Sequence, residues 1–382
     1  MNVCFIAPNP NIKDGIAKYS DFLSDKLKKI GVNLVYLYNG SNREDSHSGF
    51  YPLISYRFSD LLKSFKVLKN NKIDVVHLEY AIPTFGLLAL PIICIIILSK
   101  LVLRTKIVIT LHEVRRELLL LKWIGKAYYF ALSLITDKFL VHTHEAQSLL
   151  ILSCGISQNK IDVIPHFLFP LVETKVKRNA QVESFNVTYF GYIHVDKGID
   201  HLIEAINVFN KSITNTKTDT KFVIAGDVRP RKGIFKIFEK RDFKYKSKIF
   251  NKVKEYGIED KVKFIGYVNE SNVHNLLSDA DIFVLPYTNA EQSGVLNLLL
   301  PYQKPIIASD VGGLGETLIS TGVLVPIGDA NKLSLAVEKL ITDEDHYKEI
   351  SENYYNLQSE LSLDRVAKLT NSIYEKLLIS NL

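Results

Sequence analysis

Residues 276–316 read LLSDADIFVLPYTNAEQSGVLNLLLPYQKPIIASDVGGLGE. Two short apolar runs, IFVL at 282–285 and PIIA at 305–308, flank a stretch carrying Leu296, Leu298, Leu299 and Leu300. Both runs are continuous rather than alternating, the pattern of parallel strands covered on both faces. The leucine-rich stretch between them reads as a buried helix. Gly294 opens that helix and Ser293 is its candidate cap.

The same alternation extends in both directions. Upstream in the second half lie strands at 186–190, 222–225 and 262–265. A helix at 199–209 keeps Leu202, Ile203, Ile206 and Phe209 on one side. The first half opens with an apolar run at 3–7. A helix follows, with Ile16, Tyr19, Leu23, Leu27 and Ile30 at three- and four-residue spacing, and Gly31 ends it. Strands follow at 32–38, 72–78, 106–111, 138–142 and 160–165. A polar stretch at 172–184 separates the halves. The expected fold is therefore α/β, with two Rossmann-like, doubly wound domains facing a cleft. Residues 1–172 form the first domain, 173–184 the linker and 185–360 the second.

A chain of 382 residues with 47% hydrophobic and 23% charged residues suits two globular domains. Cys4, Cys94 and Cys154 are scattered, so neither a disulfide framework nor a structural zinc is expected, and a reducing compartment fits. The opening MNVCFIAP has no basic lead or small-residue cleavage site and reads as a first strand, not a signal peptide. No GxGxxG follows any strand, which argues against a nicotinamide dehydrogenase. Net charge is +6, but residues 1–172 carry +7 and the remainder −1. That asymmetry points to an anionic partner such as a phosphorylated acceptor or an acidic membrane face.

Three segments have two readings. Residues 228–254 hold eleven Lys/Arg interleaved with aromatics; an amphipathic helix on the domain edge is favoured over an acceptor or membrane contact, and nucleic acid is not an expected partner. Residues 85–98 (FGLLALPIICIIIL) are too short to span a membrane, which takes about 20 apolar residues. They read as a buried or surface-docking helix or an interfacial one. Residues 117–135 mix Leu118–Leu121, Trp123, Tyr128, Tyr129 and Phe130 with Lys122 and Lys126, a composition at home in a core or at a headgroup interface.

The chemistry gathers at strand ends. Gly191 follows the strand at 187–190, and Lys197-Gly198 precedes a helix; such a turn lets backbone and a full positive charge approach an anion. Glu291-Gln292-Ser293-Gly294-Val295 follows the next such strand, and Asp310-Val311-Gly312-Gly313 a third. Three loops of this kind in one domain point to a nucleotide-phosphate site.

At this point the chain resembles glycosyltransferase family 4, a large retaining family with the two-domain GT-B fold, in a branch with a Gln-Ser-Gly-Val signature. FGYIHVDKGIDHLIEAI, FVIAGD, KVKFIGYV, LLSDADIFVLPYT, KPIIASDVGGLGE and LSLDRVAKLTNSIYEKLL match its landmarks in order; DVVHLEY, VITLHE and KIDVIPH do so in the first half. The resemblance implies a hexosyltransferase-type enzyme using a UDP- or GDP-sugar donor, with no cofactor or metal, and a glycan or lipid-linked acceptor. The +7 charge of residues 1–172, the apolar run at 85–98 and the Trp123, Tyr128 and Tyr129 segment with its lysines add the expectation of a cytoplasmic enzyme, peripheral on the inner membrane face, in surface polysaccharide biosynthesis. Residues 361–382 are then a closing helix returning to the first domain.

Carried over by position, Lys197 binds the donor diphosphate, as do the amides of Gly294 and Val295 beside Ser293. Glu291 contacts the sugar hydroxyls and His112 touches the transferred sugar. Gly15 and Gly191 lie by the phosphates, and Gly266, Tyr267 and Val268 flank the base. Two positions depart from the pattern. Tyr192 stands where many members have arginine, leaving His194 as the nearby basic residue. Leu299 stands where a second glutamate would hold the ribose. These departures motivate the competing reading, a non-catalytic sugar-nucleotide-binding subunit.

Overall fold

The computed structural model describes residues 1–12, 14–39, 49–86, 89–169, 184–212, 219–231 and 236–379, with only the backbone at 83, 237 and 238. The linker assigned to 173–184 lies outside these residues except for Ser184. Residues 1–167 with 361–382 form one compact unit, and residues 168–360 another.

In the first unit the strands are β1 (Asn2–Ile6), β2 (Asn33–Leu37), β3 (Phe50–Tyr51), β4 (Val75–Tyr80), β5 (Lys106–Leu111), β6 (Lys138–Val141) and β7 (Ile161–Val163). Its helices are α1 (Gly15–Lys29), α2 (Phe58–Asn70), α3 (Ile82–Phe85), α4 (Ala89–Leu98), α5 (Val114–Ile135) and α6 (His144–Cys154). The sheet is parallel in the order β3-β2-β1-β4-β5-β6-β7. Strand order reverses between β1 and β4, and right-handed crossovers put α1 on one face and α4, α5 and α6 on the other. Val75–Tyr80 are buried throughout, as the continuous apolar reading required.

The second unit contains β8 (Ser184–Phe190), α7 (Ile199–Ser212), β9 (Asp219–Ala225), α8 (Lys236–Tyr256), β10 (Val262–Gly266), α9 (Glu270–Asp279) and β11 (Ile282–Leu285). After these come α10 (Gly294–Leu299), β12 (Ile306–Ser309), α11 (Gly312–Leu318), β13 (Val323–Val325), α12 (Ala330–Thr342) and α13 (Glu344–Glu360). The parallel order is β10-β9-β8-β11-β12-β13, with the reversal between β8 and β11. The quoted segment supplies β11, α10 and β12 with all eight strand residues buried.

The final helix, α14 (Leu363–Ile379), packs on α1 in the first unit. Lys26 pairs with Asp364, and buried Tyr374 meets His77 through its hydroxyl. Two apolar stretches are not single helices. Residues 85–98 are interrupted at Gly86 (φ +53), and α4 continues as a π-helical turn, Ser99–Leu103. Helix α5 is broken at Lys122, whose φ of 50° and ψ of −123° leave the helical region. Two strands, β3 and β13, are shorter than any run the sequence marks.

Candidate functional site

Open α/β sheets bind ligands beyond the carboxyl ends of strands at the point where strand order reverses. In the second unit that point lies between β8 and β11, and their loops are stitched together. Past the strand ends, Gly191 N–H donates to the Ala225 carbonyl and Ile193 N–H to that of Asp227, both at 3.0 Å. Gly226 presses against the Gly191 carbonyl so closely that any side chain would overlap it. The β8 loop then forms one 3₁₀ turn, Val195–Lys197, ended by Gly198 (φ +59). A Cβ at Gly198 would collide with the Pro286 carbonyl oxygen. Thr288 N–H donates to the Asp196 carbonyl at 3.0 Å, closing the seam.

This seam places Lys197, whose Nζ lies 3.6 Å from the centre of the fully buried Tyr287 ring. A cation over an aromatic face is attracted by the ring quadrupole, which limits where the ammonium can swing. Ser293 caps α10, its Oγ accepting from Leu296 N–H at 3.1 Å. Gly294 and Val295 are the first two residues of α10, and the Val295 side chain lies against Gly191. Gly313 N–H donates to the Glu291 carbonyl at 2.9 Å, which ties in the loop after β12. Thus Gly191, Lys197, Glu291, Ser293, Gly294 and Val295 belong to one connected set of loops. Gly266 pairs with Ala225 beyond a bulge in β10, so Tyr267 and Val268 sit two strands away from β8.

His194 is engaged within the unit. Its Nδ1 accepts from Asp196 N–H at 3.2 Å. Arg241 Nη2 and buried Asp242 Oδ1 stand 2.8 and 3.6 Å from Nε2. Burial holds this imidazole below its ordinary pKa, against the pull of Asp196 and Asp242. Asp242 also binds Arg231 at 3.0 Å.

The first unit's reversal point is built differently. Asp14 caps α1, accepting from Ile16 N–H at 2.9 Å, and leaves Gly15 exposed as the first helical residue. One turn on, Tyr19 is buried against the rings of His112, His142 and His166 at 5.3, 5.2 and 4.7 Å. His112 Nε2 lies 2.7 Å from the fully buried Glu79 carboxylate. His77 bonds Thr110 at 2.7 Å. Burial lowers the pKa of His77 to about 4 and of His112 and His142 to about 3, and raises Glu79 to about 7. His112 therefore presents a neutral ring at ordinary pH, able to exchange one hydrogen bond with a hydroxyl through Nδ1.

Residues 13–168 match the model of Glycosyltransferase Family 4, and residues 173–357 that of Glycosyl transferases group 1. The chain belongs to glycosyltransferase family 4. Its two parallel-sheet α/β units are those of the GT-B fold.

Similar proteins include alpha-D-kanosaminyltransferase of Streptomyces kanamyceticus, 27% identical over 44% of this chain and 39% of that protein. An uncharacterized 41.2 kDa protein in the cps region of Klebsiella pneumoniae is 28% identical over 73% of each. The capsular polysaccharide biosynthesis glycosyltransferase CapM of Staphylococcus aureus is 25% identical over 45% of this chain and 40% of its own. Among solved structures, Anabaena HepE in complex with UDP superposes with a TM-score of 0.74 at 14% identity, over 98% of this chain and 100% of that one. Sucrose-phosphate synthase from Thermosynechococcus elongatus gives 0.72 at 19% identity over 100% of both. At such identities these structures speak to the fold alone.

Within this family 4 chain three residues escaped the sequence reading. Gly226 is needed for the loop seam, and the glycine of FVIAGD was its visible signal. Glu79, in DVVHLEY, holds His112. Arg229, from the loop after β9, places its guanidinium 5.7 Å from the centre of the exposed Tyr192 ring. The two departures then have structural accounts: Tyr192 faces a cation from the neighbouring loop, and Leu299 is fully buried core.

Proposed function

We propose that the protein is a retaining glycosyltransferase that moves a hexosyl-type sugar from a UDP- or GDP-sugar to a glycan or lipid-linked acceptor during surface polysaccharide assembly. The seam joining the β8, β11 and β12 loops carries this reading, because it gathers Lys197, the start of α10 and Glu291 at one sheet reversal. In the reaction the bond between the anomeric carbon and the β-phosphate oxygen breaks, and negative charge builds on that phosphate as the sugar becomes oxocarbenium-like. Lys197 and the amides of Gly294 and Val295 meet that charge with fixed donors; losing one such donor typically costs about 10²–10³ in rate. Glu291 holds sugar hydroxyls and His112 accepts or donates one more hydrogen bond. The acceptor hydroxyl attacks from the face the diphosphate leaves, and its proton passes to the departing phosphate oxygen. The base lies along Gly266–Val268.

No DxD pair follows a strand in the sequence, and among the described residues no three His, Cys, Asp or Glu side chains group to hold a metal ion. We assign charge neutralisation to the protein's own cations, a reading the EDTA experiment below tests. On this reading the enzyme works in the cytoplasm, at the inner membrane face where its acceptor is lipid-linked. Incubation with UDP- and GDP-sugars and a saccharide acceptor, followed by NMR of the product, tests it. The expected product keeps the donor's anomeric configuration and forms in excess EDTA. An inverted product, or turnover that EDTA abolishes and magnesium or manganese restores, contradicts it.

A further inference from the structure

Helix α5 leaves a wide apolar face uncovered. Its buried residues are Val114 and Glu117 before the break and Gly125, Tyr129, Leu132 and Ser133 after it. That side is fixed to the unit: Tyr129 donates to Glu117, whose carboxylate also accepts from Ile82 N–H at 2.6 Å, and Tyr128 bonds the Tyr80 hydroxyl at 2.7 Å. On the outer side, Leu119, Leu120, Trp123 and Ile124 are 53–74% exposed, and Phe130 and Leu134 continue that surface. A helix apolar all round is ordinarily buried all round, and this one is covered on one side only.

We infer that α5 lies in the plane of an anionic bilayer and seats the first unit on it. Its 22 residues are, by length and composition, long and apolar enough to cross a membrane. The break at Lys122 leaves thirteen helical residues after it, Trp123–Ile135, reaching about 20 Å against the roughly 30 Å of a hydrocarbon core. The side chains at the break are apolar on either hand, with exposed Lys122 between them and Lys126 one turn on. No acid occurs from Leu118 to Ile135. Apolar side chains entering the acyl boundary beside lysines at phosphate level is the arrangement of an interfacial helix.

A second element extends the face. Leu101 and Val102, in the π-helical turn after α4, are 74% and 61% exposed. Lys100 joins that turn to Asp137, just beyond the end of α5, at 2.8 Å. This pairing neutralises the acid there, and exposed Arg104 follows. The net +7 of residues 1–172 supplies the attraction that brings the face to an anionic surface. The inference gives the acceptor side of the proposed function its partner, and it rests on no property of the donor loops.

The chain has one tryptophan, Trp123, so its native emission reports on the face directly. The probes are vesicles of phosphatidylcholine alone and of phosphatidylcholine with phosphatidylglycerol. With the anionic vesicles, the protein should float, its emission should move to shorter wavelength, and brominated acyl chains should quench it. Binding should weaken with salt, and Lys122→Gln with Lys126→Gln should lower partitioning about 30-fold. Trp123→Ala should also reduce flotation while leaving nucleotide affinity and circular dichroism unchanged, which separates lost docking from lost folding. Protein that stays unbound at low salt with unshifted emission overturns the inference. So does sedimentation as a dimer with Trp123 shielded in the absence of lipid. Neither result bears on donor binding, which is read separately by nucleotide titration.

Discussion

The two units place their polar groups differently where strand order reverses. In residues 168–360 cations gather at the strand-end loops, with Lys197 over Tyr287 and Arg229 over Tyr192, while loop Arg231 and Arg241 of α8 flank buried Asp242. In residues 1–167 with 361–382 the polar groups are drawn inside: Glu79 and His112 are packed against Tyr19 and its neighbours, and burial keeps the imidazoles neutral. One unit is suited to meeting a strongly charged ligand. The other is suited to meeting neutral hydroxyls with a few directed hydrogen bonds. The proposed function, separating a sugar from a diphosphate, calls for both.

The largest expected effect breaks the charged side of this contrast. Lys197→Ala should lower transfer by about 10³-fold, because the departing phosphate loses its nearest full charge. Initial rates at saturating donor measure it, and a rate within a few-fold of wild type removes Lys197 from the reaction. Next comes the seam itself. Gly226→Ala forces a methyl into the Gly191 carbonyl and should destabilise the second unit by on the order of 3 kcal/mol. Denaturant unfolding followed by limited proteolysis can tell which unit opens, and a variant as stable as wild type would show that the loops part freely.

The buried side is tested by pH. His77, His112 and His142 have folded pKa values of about 4, 3 and 3, below the unfolded value near 6.5. The unfolded chain therefore binds more protons in that window, and stability falls as pH drops from about 6.5 toward 4. Glu79, raised to about 7, works in the opposite direction over about 4.5 to 7. His166 is likewise held low by burial, and Glu117 is raised to about 7 like Glu79; with four imidazoles against two carboxyls, the first unit should melt progressively lower on acidification. A melting temperature that rises on acidification would contradict the buried, neutral assignment.

The smallest effect concerns the loop cation. Arg229→Ala should weaken nucleoside-diphosphate affinity about tenfold, as expected for one partly screened charge. Tyr192→Arg placed on that variant should restore part of the loss. Unchanged affinity in Arg229→Ala, measured by titration, would confine Arg229 to surface packing.

The contrast also explains what could be read in the chain. Parallel strands buried on both faces leave continuous apolar runs, so β4, β5, β11 and β12 were legible. The strand-end loops of the second unit were legible because backbone approaching backbone demands glycine, as at Gly198 against Pro286. Strands β3 and β13, of two and three residues, are too short to stand out. The contact of Arg229 with Tyr192 joins separate strand-end loops, and the pairing of Glu79 with His112 joins neighbouring strands; neither leaves a local pattern. The break at Lys122 was hidden because a stretch apolar on every side has no periodicity to interrupt. The expected one-run helix at 85–98 failed at Gly86, where the backbone turns to positive φ.

The central claim is that the second unit binds a nucleoside diphosphate through Lys197 while Glu291 reads the sugar. Calorimetric titration of UDP and GDP into wild type, Lys197→Ala and Glu291→Ala tests it most directly. Wild type should bind at least one of the two nucleotides at one site per chain, with binding lost in Lys197→Ala and retained in Glu291→Ala, whose transfer rate nevertheless collapses. No binding of either nucleotide to wild type at millimolar concentration, or equal affinity in wild type and Lys197→Ala, would contradict it.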